Sequence, residues 1–388
     1  MKKIYTMVLI VFSVLVLGFY VAKIVTAKEK VEVKLEDISG SRVAIGNAKL
    51  KATIYDGILD AYESIISKDK IEVKPTDIDA ARASLSEEQF KDKELFRKMK
   101  YSELPLHEDS QYRIIINSRS QYNSKSGQVN NNINISYRNK SDDKLKNFTV
   151  ITPTKYPFIE MIDMNNENGK LKVIFMGHGE NNNESTLEVC TIDLEKETIK
   201  SDKKINTKDI VREDEHIDKS IYSGGKVYVA LSRYNEQNGN EARVVSIDMK
   251  DYSIKEYKNN IEKTSLETLT ITGSGCYATN DKIVIYSIHD SEMYINEFDT
   301  KTDKFKNYNS IKVDNKAYAI KEEDKESKSL QYNIIGMKDG KAYMEVSIYN
   351  HNSNITQKYI NIVDLNKNKS IYVGKLDFPQ SYIQLRVE

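Results

Sequence analysis

Four times along this chain a two-residue turn is followed at once by a lysine and an apolar strand. The copies are Asn168-Gly169-Lys170, Gly224-Gly225-Lys226, Asn280-Asp281-Lys282 and Asp339-Gly340-Lys341. The lysines stand 56, 56 and 59 positions apart (226−170, 282−226, 341−282). A fixed period of this length, with several short strands per unit, predicts the blades of a β-propeller.

The turn pairs tolerate positive φ, as a type I′ hairpin requires. Period-2 alternation follows, as in Val227, Val229 and Leu231 or Ile283 and Ile285. A polar loop and a further strand then end on Asp193, Asp248, Asp299 or Asp364, and an apolar anchor follows at Ile199, Ile254, Phe305 or Ile371. An Asp at the first position of a tight turn accepts hydrogen bonds from the backbone just ahead of it, so it marks the hairpin into an outer strand. Two weaker copies lie upstream. One has Arg113 as head, Asn139 in the Asp slot and Leu145 as anchor; the other has Arg42, Asp56 and Tyr62. The expected fold is all-β, a propeller of about six four-stranded blades, with five or seven as the neighbouring counts. The segment Phe378–Leu385 has no turn or partner strand after it, which suits a ring sealed by pairing the chain's end into the first blade.

Met1-Lys2-Lys3 precedes an unbroken apolar stretch from Ile4 to Ala22 through Leu9, Phe12, Leu15 and Phe19. As a helix it would be about 28 Å long, close to the hydrocarbon thickness of a bilayer. Residues 1–27 therefore read as an N-terminal membrane anchor, with 28–388 outside the cytoplasm; the alternative is a signal segment cleaved near Ala27. The charge balance, 58 basic against 58 acidic residues, argues against a nucleic-acid partner. Cys190 and Cys276 fall on strands two units apart and are expected to be free thiols. A non-repeat insert at about 75–108 carries a capping-box pattern at Ser86 and Gln89. Phe90, Leu95, Phe96 and Met99 form an apolar stripe in it, so it is expected to be partly helical and to pack on the ring or cover one face.

The loops between the second and third strands of the units are long, polar and variable, and they share a rim with the blade-to-blade connections. Such a rim is where a rigid scaffold carries function. Its candidate ligand or partner face is His178, Glu180, Arg233, Tyr234, His289, Asp290, Tyr349 and His351. Three histidines and two carboxylates in equivalent loops could converge as an acid–base or metal cluster, although surface loops are also where histidine ordinarily sits. No Gly-x-Ser-x-Gly, His-Glu-x-x-His, Cys-x-x-Cys, Walker or dinucleotide motif occurs. No catalytic residue and no metal site is assigned on this reading.

The succession Gly224-Gly225-Lys226-Val227-Tyr228-Val229, Val245-Ser246-Ile247-Asp248 and Ile254 resembles a degenerate kelch or quinoprotein-type propeller repeat, over about residues 39–388. The resemblance implies fold and not activity. The tryptophan docking motif of quinoprotein enzymes is absent, so no quinone or other cofactor is expected. The expectation is a membrane-tethered extracytoplasmic module that binds a protein, peptide or envelope glycan through the long-loop rim. Its alternatives are a hydrolase or lyase acting on sugars or lactones, and a structural subunit of a membrane complex.

Overall fold

The turn-and-strand grammar of the sequence recurs in the computed structural model. It describes residues 31–387 apart from 57–59, 77–91, 97–105, 124–127, 153–157, 179–184, 213–214, 236–238, 259–270, 280, 290–291, 309, 313–314, 319–327, 353–354 and 379–382. The first strand, β1 (Lys34–Gly40), is followed by a 3-10 turn at Arg42–Ile45. Then come β2 (Leu50–Asp56), β3 (Asp60–Ile66) and β4 (Ile71–Thr76), and a one-turn helix α1 (Lys93–Phe96). The second blade is β5 (Leu106–Glu108), β6 (Tyr112–Asn123), β7 (Gln128–Asn139) and β8 (Leu145–Ile151). The third is β9 (Phe158–Glu167), β10 (Lys170–His178), β11 (Ser185–Asp193) and β12 (Thr198–Asn206). The fourth is β13 (Glu215–Ser223), β14 (Lys226–Asn235), β15 (Gly239–Asp248) and β16 (Ile254–Tyr257). The fifth is β17 (Ile271–Ala278), β18 (Lys282–His289), β19 (Glu292–Asp299) and β20 (Lys304–Asn307), extended by the short β21 (Ile311–Lys312). The sixth is β22 (Lys328–Lys338), β23 (Lys341–Asn350), β24 (Ile355–Asp364) and β25 (Lys369–Asp377), and β26 (Ile383–Val387) ends the chain.

Four sheets are separate and four-stranded. The fifth and sixth blades are joined into one ten-stranded sheet, because β21 pairs with both β19 and β25. Among the described residues that makes six blades. Both chain ends take part in closure. Strand β26 pairs antiparallel with β2, Leu50 opposite Val387 and Ile54 opposite Ile383, and so supplies the innermost strand of the first blade. Strand β1 adds to the outer edge of the sixth blade through β25. The C-terminal seal expected from the sequence is therefore present.

The predicted turn chemistry is present in three of the four copies; Asn280 of the fourth lies outside the described residues. Asn168, Gly169, Gly224, Gly225, Asp339 and Gly340 all have φ between 52° and 80°, the left-handed values of a type I′ pair. Asp193 accepts from the Glu195 and Lys196 amides at 3.1 and 3.0 Å. Asp299 and Asp364 repeat the arrangement.

The first blade corrects the reading. Arg42 does not head a strand: Ser41 caps the 3-10 turn that contains it. Asp56 ends β2 rather than the third strand, and Tyr62 lies in β3 rather than in the outer strand. Ser67 fills the Asp slot, its hydroxyl bonding the Lys70 backbone.

The core is a series of apolar layers between blades. Ile116, Ile135, Val173 and Phe175 fill the junction of blades 2 and 3; Val189, Ile205, Val229 and Val245 fill that of 3 and 4. Tyr228, Val244, Ile283 and Phe298 lie between 4 and 5, and Tyr343, Ile362, Leu50 and Ile54 between 6 and 1. The described part of the insert packs on the second blade. Leu95 meets Ile115, and Asp92 is gripped by the Arg138 guanidinium through two bonds of 2.7 Å. Ser86, Gln89, Phe90 and Met99 lie outside the described residues.

The expected cell-membrane localisation is corrected to what the described residues show: no helix among them is long and apolar enough to cross a membrane. Ile4, Leu9, Phe12, Leu15, Phe19 and Ala22 themselves lie outside the described residues. Neither the anchor nor the extracytoplasmic placement is carried further.

Candidate functional site

A propeller brings one strand of each blade close to the ring axis, and here β9, β13, β17 and β22 follow one another around it. Each of these four carries a bulge. A bulge adds a residue to one strand and re-aims the side chains beside it. In β17 and β22 the extra residues are Thr272 and Ile335; in β9 and β13 the bulge sits at or next to a carboxylate.

In β9 the extra residue is Ile162, between the pairs Asp163–Ile174 and Met161–Phe175. The Ser220 hydroxyl of β13 donates to the Ile162 carbonyl at 2.7 Å, across the inner junction of blades 3 and 4. Asp163 stands beside this bond. Its Oδ1 accepts the Met164 amide at 2.7 Å. Burial outweighs that bond, the Ser220 hydroxyl and the field of His107, and pushes the Asp163 carboxyl up to about 6. Among the described residues no cationic side chain forms an ion pair with it; His107 is held 3.2 Å from Asp109 instead. Ser220 has one proton, which goes to Ile162 at 2.7 Å and for which the Asp163 carboxylate competes. A neutral Asp163 can donate its own proton to the Ser220 oxygen and leave the chain intact, whereas an ionised Asp163 competes for that proton.

In β13 the extra residue is Asp218. His216, two residues earlier, lies directly opposite Ser232 of β14. Its Nε2 is 3.0 Å from Asp218 Oδ1 and 3.1 Å from Ser232 Oγ. One nitrogen serves both neighbours, so this is no nucleophile–base–acid relay, which needs the two ring nitrogens to face different partners. The neighbouring Glu215 is taken up by Arg243 at 2.8 and 2.7 Å.

On the far side, Tyr286 donates to Asn333 at 3.1 Å and accepts the Ile334 amide. Burial holds its hydroxyl at about 12, and the Cys276 thiol is likewise pushed up to about 12 by burial and then by Asp218. A thiol in that state is protonated and a poor nucleophile. Both cysteines are free, as expected.

The rim residues read from the sequence are only partly brought together. Tyr349 and His351 meet edge to face, ring centroids 5.0 Å apart, where β23 turns into β24. His178 and His289 are the last residues of β10 and β18, and Arg233 and Tyr234 lie on β14. Their side chains, together with Glu180 and Asp290, lie outside the described residues. Among the described residues no group of three or more His, Cys, Asp or Glu side chains is placed to hold a metal ion. Sequence reasoning missed Asp163, Ser220, His216 and Asp218. The one available signal was weak, an Asp directly after an isoleucine in each of two inner strands, Ile162-Asp163 and Ile217-Asp218, which carry other polar residues as well.

No family model and no curated protein matches the chain. Among solved structures it is similar to cobalt-substituted Synechocystis apocarotenoid oxygenase, with 8% identity over 91% of this chain and 97% of that one and a TM-score of 0.43. An ACO/RPE65 chimera matches with the same identity and coverage at a TM-score of 0.44. The kelch or quinoprotein resemblance is corrected by these neighbours, which are of another kind. The reading as a protein-, peptide- or glycan-binding module finds no support among these neighbours and is also withdrawn. So are its alternatives, the sugar or lactone hydrolase or lyase and the structural subunit of a membrane complex. At this identity and TM-score the likeness transfers no activity or metal to this chain.

Proposed function

We propose that the ring handles a small cationic molecule near its axis, at the inner junction of blades 3 and 4, with Asp163 as the recognising carboxyl. One observation carries this reading: Asp163 is recessed between two blades with no cation paired to it among the described residues. A part-buried carboxylate without a counter-charge is disfavoured, and two outcomes relieve the cost: it takes up a proton, or it meets a cation from solution. With its carboxyl near 6, Asp163 is mostly ionised at neutral pH and sits where modest changes exchange one outcome for the other. A small protonated amine fits the chemistry, because it supplies the counter-charge and a further donor beside the Ser220 hydroxyl, for which Ile162 competes.

The test compares the wild type with Asp163→Asn in thermal melts over a series of methylammonium chloride, tetramethylammonium chloride and putrescine, with matched sodium chloride controls. A protonated amine is expected to raise the wild-type Tm above pH 6 and to do so less below it, where the proton occupies the carboxyl. The Asp163→Asn variant is expected to show no such response. Equal responses of the two proteins at every pH would remove the reading.

A further inference from the structure

We propose that His216 is a second ligand-facing group, an imidazole that donates from Nε2 and, in its uncharged form, presents Nδ1 as a hydrogen-bond acceptor to a protonated amine. The argument starts from register. His216 and Ser232 are a directly opposed cross-strand pair, and the bulge at Asp218 places a carboxylate on the same nitrogen. An acceptor-only carboxylate at 3.0 Å requires a donor opposite it, so Nε2 carries the proton. The Ser232 oxygen at 3.1 Å shares that proton through a lone pair. In the uncharged ring Nδ1 is then left with its lone pair, on a side chain that is 65% exposed. A carboxylate that fixes one nitrogen of a histidine orients the other.

Position adds to this. His216 is the second residue of β13, on the rim where one blade passes to the next, and Asp218 leads down the same strand towards the junction that holds Ser220 and Asp163. The same inner strand thus presents one acceptor at the rim and borders another deeper in. The nearby carboxylate that could compete for His216, Glu215, is already bound by Arg243, so the lock belongs to Asp218 and Ser232. The ligand class alone rests on the reading of Asp163; the tautomer and its cause do not.

The experiment is a long-range nitrogen–proton correlation spectrum of the full chain labelled at histidine, above the titration of the rings. It is recorded for the wild type, Asp218→Ala and Ser232→Ala, each with and without methylammonium chloride. The wild type is expected to show His216 predominantly as the Nε2–H form, and Asp218→Ala to lower the ratio of the two tautomers about tenfold, the worth of one hydrogen bond to a charged acceptor. Ser232→Ala, which keeps the carboxylate, is expected to retain the bias and serves as the control for folding. Methylammonium is expected to move the Nδ1 resonance of the wild type. A dominant Nδ1–H form, a ratio insensitive to Asp218, or an Nδ1 resonance that methylammonium leaves unmoved would overturn the proposal. A locked tautomer with a responsive Nδ1, beside an Asp163 melt that ignores amines, supports His216 and sinks only the Asp163 reading.

Discussion

Single side chains fasten several blades to the next, three of them at one repeated position. Two residues after the blade lysine stand Lys172, Tyr228 and Tyr343. Lys172 Nζ donates to the Met249 carbonyl at 2.7 Å, Tyr228 to the Thr300 carbonyl at 3.0 Å, and Tyr343 to the Ile45 carbonyl at 3.0 Å. In the second blade Tyr137 reaches the Leu194 carbonyl. Leu194, Met249 and Thr300 each follow the turn aspartate of their own blade, so the Asp-capped turn of one blade offers the carbonyl that its predecessor binds. Tyr228 also donates towards Asp303 at 2.7 Å, and burial, then that carboxylate, holds its phenol well above the usual range. Tyr228→Phe keeps the ring against Phe298 and Tyr257 and removes only the hydroxyl. It is expected to cost about 1 to 2 kcal/mol in chemical denaturation; no loss would mean that the bond contributes nothing net. None of this was readable in advance, because the acceptors are backbone carbonyls and the donors alternate between Lys and Tyr. Asp163 and His216 were hidden for a related reason: a bulge has no residue signature, and an Asp in an inner strand looks like any other Asp.

At the scale of elements, the closing strands depend on close backbone approach. A Cβ added to Gly336 of β22 would lie 2.4 Å from Val387 Cβ of β26. At Gly374 of β25 it would lie 2.7 Å from Leu35 Cδ1 of β1. Gly336→Ala is therefore expected to push β26 off the sixth blade and to lower stability by roughly 1 to 3 kcal/mol, as overpacking does. Amide exchange should rise in β2, the strand that β26 covers; unchanged exchange there would contradict the role given to Gly336. Strand β1 is clamped separately, by Arg42 on Asp37 at 3.1 Å and Tyr372 on Asp37 at 2.6 Å. The repeats from Asn139 onward were legible because turn pair, Asp slot and anchor keep their spacing. The first blade was not, because its innermost strand comes from the far end of the chain. Its leading residues were thus free to form a capped 3-10 turn, where Val43 is 70% exposed and the apparent alternation Arg42-Val43-Ala44-Ile45 has no sheet to join.

For the whole molecule, closure by both termini makes the ring one cooperative body, so an unsatisfied group at one inner junction is felt as global stability. Most carboxylates whose values shift in this fold are held low; Asp92, Asp109, Glu215 and Asp303 remain so despite burial, through arginine, lysine, tyrosine or backbone donors. They contribute stability that is present at neutral pH and lost in acid. Asp163 runs the other way. Its folded value of about 6 lies above the ordinary 3.8, so the stability its proton contributes is full below 3.8 and is lost as pH rises through 6. The direct measurement is urea denaturation of the wild type and Asp163→Asn across pH 4 to 8, read as the difference between the two proteins so that all other groups cancel. The account predicts that the wild type loses on the order of 2 kcal/mol relative to the variant as pH rises through 4 to 6, with a plateau above. Two parallel curves would show that Asp163 is neither recessed nor unpaired, and the axial site would fall with it.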